Sequence, residues 1–107
     1  MTPSLPKYRL QTVVTATPAA VGSGPVRIMK IALAGGSAAS KCELKNAATD
    51  TGDILLTINA LTNDYKSDDF EALGGIPFSV GCFAKPAGTA AIAYIWYEPM
   101  QSQVGFA

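Results

Sequence analysis

Apolar residues in this chain recur at every second position, segment after segment, and no stretch sustains a helical period. A period of two places alternate side chains on opposite faces of an extended strand. The stretch 89-TAAIAYIWYEP-99 shows it best, setting Ile92, Tyr94 and Trp96 against Ala91, Ala93, Ile95 and Tyr97, with Pro99 as its stop. The aromatic set is expected in the core or against a neighbouring subunit, because alternation accounts for it without a ligand. Earlier, 7-KYRLQTVVTAT-17 reads as a strand ended by Pro18, and 19-AAVGSGPV-26 reads as a loop. In 26-VRIMKIALA-34, Met29, Ile31 and Leu33 form one face and Val26, Ile28 and Lys30 the other. A strand apolar on both sides suits a position between a core and a neighbour.

The alternation continues in 41-KCELKN-46, with Cys42 and Leu44 inward, and returns in 54-ILLTINAL-61, with Ile54, Leu56 and Ile58 on one face. Turn residues at 47-AATDTGD-53 make these two a hairpin. The polar stretch 62-TNDYKSDDFEA-72 admits a helical turn or an edge strand. Next, 78-FSVGCFA-84 reads as a strand with Phe78, Val80 and Cys82 on one face, a bulge or close backbone approach at Gly81, and a turn at 85-KPAG-88. Short strands with turn signals every eight to twelve residues predict an all-β fold. We expect a single antiparallel β-sandwich of jelly-roll type with about six to eight short strands. No internal repeat interrupts this pattern.

At 107 residues there is room for one domain, residues 1–107, with short arms at 1–8 and 99–107. Charged residues make up only 15% of the chain, against about 25% in an average domain, so apolar faces must be covered by an assembly. Eight basic and eight acidic residues cancel and are scattered, which argues against a nucleic-acid partner. No apolar run reaches membrane-spanning length, and 1-MTPSLPKYRL-10 lacks the core of a signal peptide, so folding is expected in a cytoplasm. Cys42 and Cys82 read as buried thiols, with a disulfide the minority reading.

Catalytic parts are missing. Without histidine the commonest general base and metal ligand is absent, so no catalytic, metal or cofactor-binding residue is assigned and no cofactor is expected. The acids of 64-DYKSDDFE-71 do not follow a calcium-loop spacing and read as solvated loop charge. An enzyme would need Asp64, Asp68 or Glu98 in a pocket. A carbohydrate-binding module would need Tyr94, Trp96 or Tyr97 exposed.

Two segments carry a family resemblance. The run 41-KCELKNAATDTGDILLTINA-60 resembles a strand, small-residue loop and apolar strand common in small virion proteins of tailed bacteriophages. The second half, 74-GGIPFSVGCFAKPAGTAAIAYIWYEP-99, is similar to the same proteins in its Gly74–Gly75 pair, Phe78, Gly81, Phe83 and its Tyr94, Tyr97, Glu98 close. The resemblance spans roughly residues 26–99, although the acidic loop 62–72 is longer than usual and Trp96 has no counterpart. It implies a β-sandwich carried in many copies on the virion surface after assembly in the host cytoplasm, as a capsid cement or decoration protein. The major capsid protein is then the expected partner, together with self-association, as a trimer at a threefold position. Leu5, Tyr8, Met100, Val104 and Phe106 are the expected contacts, apolar anchors ordered on binding. The alternative is a tail, neck or fibre component, one form of which is a carbohydrate-binding module for host-surface glycans.

Overall fold

A computed structural model describes residues 8–100. Among them nine strands are divided between two antiparallel sheets: β1 (Arg9–Val14), β2 (Ala19–Ala20), β3 (Val26–Ala34), β4 (Ser40–Lys45), β5 (Ile54–Ala60), β6 (Tyr65–Asp69), β7 (Ile76–Phe78), β8 (Phe83–Ala87) and β9 (Ile92–Pro99). One sheet has the order β1-β9-β3-β6, with β7 also on β3. The other has the order β2-β8-β4-β5. The path is that of a long antiparallel ribbon folded over: β4 pairs with β5, β3 with β6 and β7, β2 with β8, and β1 with β9. Rolling the ribbon brings β9 beside β3 and β8 beside β4, which closes a jelly roll.

The ninth strand exceeds the expected count because β6 and β7 share one flank of β3. β6 lies along Lys30–Ala34 and β7 along Val26–Ile28. A 3₁₀ turn at Glu71–Leu73 and the left-handed Gly74 and Gly75 separate the two. The stretch 62–72 therefore supplies both an edge strand and a helical turn. Likewise 78-FSVGCFA-84 is not one strand. β7 ends at Phe78 and β8 starts at Phe83, so the chain crosses between sheets at Gly81, with Phe78 and Cys82 buried and Val80 exposed. The backbone at Gly81 runs close against Ala47. The expected turn at 85–88 comes later, because β8 continues through Pro86. The ring is tolerated there since β2 covers only Phe83 and Ala84. Within 19–26, Ala19–Ala20 forms the two-residue β2, residues 21–25 are bends, and Val26 opens β3.

The core between the sheets holds Ile28, Ile31 and Leu33 of β3, Cys42 and Leu44 of β4, Phe78, and Ile95 of β9, all fully buried. Two bulges set which residues reach it. The β3–β9 register shifts between Ile28 and Lys30, so Val26 and Ile28 share the core side with Ile31 and Leu33, against the uniform alternation expected. Met29 is the extra residue, buried on the opposite side beside Gly75. The β4–β5 register likewise shifts, leaving Ile54 opposite Lys45 and exposed, apart from Leu56 and Ile58. The remaining hairpin expectation holds, with Cys42 and Leu44 inward and Lys41 outward. Gln11 ties the sheets at one corner: its side-chain amide donates to the Ala20 carbonyl at 2.8 Å and accepts from the Gly22 N–H at 2.9 Å.

Candidate functional site

The outer faces of the two sheets differ in chemistry. On the β2-β8-β4-β5 sheet the outward side chains are largely charged and paired. Lys41 meets Glu43 at 3.3 Å, and Asp50 accepts from both Lys45 and Lys85, the latter at 2.9 Å. Hydrogen bonds from Lys45 and Lys85 hold the Asp50 carboxyl below its ordinary range, and the bond to Asp50 raises the Lys85 ammonium. Thr57 and Asn59 complete a face suited to water.

The outer face of the β1-β9-β3-β6 sheet is laid out in rows by the registers. One row runs Leu10, Trp96, Lys30, Asp69; the next runs Thr12, Tyr94, Ala32, Ser67; the third runs Val14, Ile92, Ala34, Tyr65. Two of these rows carry no charge. Trp96, Tyr94 and Ile92 are half-buried, while Leu10 and Tyr65 are 54% and 55% exposed. Lys30 lies over the Trp96 ring, 5.0 Å from its centroid, a cation–π contact that fixes both groups. The face continues past Val14 and Ile92 into an open apolar groove of about 530 Å³, lined also by Thr15, Ala16, Thr89 and Ala90.

At the other end the face becomes polar. Arg27 pairs with Glu98 at 3.8 Å, and the Asp69 carboxylate accepts from the Glu71 N–H at 2.9 Å. Tyr8 stands at this end. The Glu71 carboxylate, chiefly through its polar contact with the phenol hydroxyl, raises the Tyr8 phenol, and burial and the charges of Glu98 and Asp69 act the same way. The uncharged rows around Trp96 and Tyr94 match the aromatic enrichment and charge depletion of protein-interface centres.

Ile92, Tyr94 and Trp96 thus face outward rather than into the core, while Ala91, Ala93, Ile95 and Tyr97 point inward. Tyr97 packs on Gly22 and is closed to any ligand. Of the expected contacts, Tyr8 lies on the outer face and the half-buried Met100 donates its N–H to the Pro25 carbonyl at 3.0 Å. Leu5, Val104 and Phe106 lie outside the described residues. The C-terminal arm begins later than residue 99, since Pro99 pairs with Val26 in β9. Sequence reasoning missed Leu10, Val14 and Tyr65 as members of the face. Their only signal was the alternation of β1 and β6, which acquires meaning once β9 is known to lie between β1 and β3.

The three acids that an enzyme would need are not brought together. Asp64 lines a separate groove with Lys66 and Asn59, Asp68 points to the inner side of β6, and Glu98 is paired with Arg27. Among the described residues no three His, Cys, Asp or Glu side chains converge as metal ligands. Both cysteines are free. Comparison with protein-family models, curated proteins and solved structures returns no match.

Proposed function

We propose that the protein is a structural component of a bacteriophage virion, a cement or decoration protein of the head, docking through the outer face of the β1-β9-β3-β6 sheet. The observation that carries this reading is the asymmetry of the sandwich. One outer face is dressed with ion pairs, and the other presents Trp96, Tyr94, Ile92, Leu10 and Val14 in uncharged or weakly charged rows. The resemblance of residues 26–99 to small phage virion proteins supplies the context. The jelly roll is compatible with it, as a fold that viral coats and lectins share. The partner surface is the major capsid protein across a seam between subunits. A stable contact buries about 800 Å² per partner, more than three short rows provide, so the apolar groove beyond Val14 belongs to the same footprint.

The test is co-sedimentation with heads lacking the protein, followed by heating. Saturable binding at a fixed ratio to the coat subunit, with a raised disruption temperature, is expected. A Trp96→Lys or Tyr94→Lys chain should lose binding at least tenfold while keeping its fold. Absence of binding by the native chain overturns the head assignment.

A second reading, a glycan-binding tail or fibre component, draws on Trp96, Glu98, Asp69 and Glu71 gathering at one end of the face. A saturable change in Trp96 fluorescence on adding host-surface glycans would favour it.

A further inference from the structure

Each edge of the two sheets is blunted except one. The β6 edge carries Lys66 and Asp68 on its inner side, in register with Leu33 and Ile31, and all five of its residues are exposed. Inward-pointing charges of this kind discourage further strand pairing. β1 carries the exposed charge of Arg9 and its Val14 end is taken up by a bridge to Thr17, β2 is two residues long, and β7 has three residues including Pro77. β5 is the exception. Its seven residues, ILLTINA, contain no charge and no proline, and Ile54 and Leu55 are 49% and 46% exposed. Among the described residues β5 pairs with β4 alone, so a row of backbone N–H and C=O groups faces outward.

We infer that β5 is a self-association edge, pairing antiparallel with β5 of a second copy about a twofold axis and joining two four-stranded sheets into one of eight. The backbone row selects the class of occupant, because only an extended strand satisfies alternating donors and acceptors. The side chains select a second copy. An antiparallel pair of identical strands is isologous, so a charge at or beside the axis would meet its like directly or diagonally across it. β5 has none. Centred on Thr57, the pairing sets Leu56 opposite Ile58 of the second copy on the inner side and Thr57 opposite Thr57 on the outer side, both favourable cross-strand pairs. The twofold differs from the threefold expected on sequence grounds, and it leaves the aromatic face of the other sheet free.

The experiment uses the purified full chain without capsids, so its result stands apart from the virion reading. Light scattering with size exclusion should give twice the chain mass at tens of micromolar. Thr57→Lys and Leu55→Lys, both at exposed positions, should halve that mass while the far-UV spectrum and a cooperative melt persist, the midpoint falling only by what association contributes. Amide exchange on the unaltered chain should show protection across residues 54–60 that rises with protein concentration. A monomer at every concentration overturns the proposal. So does a dimer that survives both substitutions, or β5 protection that ignores concentration.

Discussion

Cys42 and Cys82 show what burial does to a reactive group. Desolvation pushes each thiol up to about 12, and for Cys82 the nearby Cys42 adds to the effect. The nucleophile is the thiolate, so neither thiol should react with a disulfide reagent at pH 8 until the chain is unfolded. The same shift makes stability depend on pH. From about 9, the ordinary value, the unfolded chain loses protons that the folded chain keeps. Stability is therefore unaffected through neutral pH and declines as pH rises toward 12. Denaturant titrations between pH 8 and 11 should show that decline, and a Cys42→Ala/Cys82→Ala chain should lose part of it. Gly36 poses a different constraint at the same scale. A methyl there would overlap the Thr89 carbonyl oxygen, where the β3–β4 turn meets the β8–β9 turn. Gly36→Ala should cost at the upper end of the ~1–3 kcal/mol seen for overpacking, read as a lowered urea midpoint.

At the level of elements, β9 has two faces with different duties. Ile95 is fully buried in the core, so Ile95→Ala should destabilise by about 2–5 kcal/mol. Trp96, half-buried on the outer side and outside the core cluster, leaves no internal cavity when truncated, so Trp96→Ala should cost less, about 1–2 kcal/mol. Equilibrium unfolding of the two variants checks the ordering. The alternation of 92–98 made the two faces legible in the sequence, but not which one is inward. Both are apolar, and the choice depends on packing depth. Central β9 presents small Ala91 and Ala93 to a core already filled by Phe78, Ile28 and Leu44, and so its bulk is turned outward. The hairpin of β4 and β5 was legible because its polar positions mark the outside. The bulges at Met29 and beside Ile54 were not, since a phase slip is set by the partner strand's register. Nor was the sheet-to-sheet crossing at 79–82, whose flanking Phe78 and Cys82 are apolar at strand spacing though the segment is not a strand.

For the molecule as a whole, the proposed docking face and the proposed self-association edge predict separable phenotypes. Substitutions at Trp96 or Tyr94 should abolish attachment to heads yet leave the mass of the free protein unchanged. Thr57→Lys should do the reverse to mass and weaken attachment only through lost avidity. The nested ribbon has a kinetic consequence as well. Arg9 pairs with Tyr97 and Val14 with Ile92, and β9 is wedged between β1 and β3 at the centre of its sheet. A chain emerging from a ribosome at about 5–20 residues per second thus holds β1 and β3 apart, unable to bond, until β9 arrives. Such high contact order places folding in the millisecond-to-second range, and only once β9 has been synthesised. During that interval the uncharged ILLTINA segment is exposed, and the strand suited to joining two folded copies is also the one most able to join two unfolded ones.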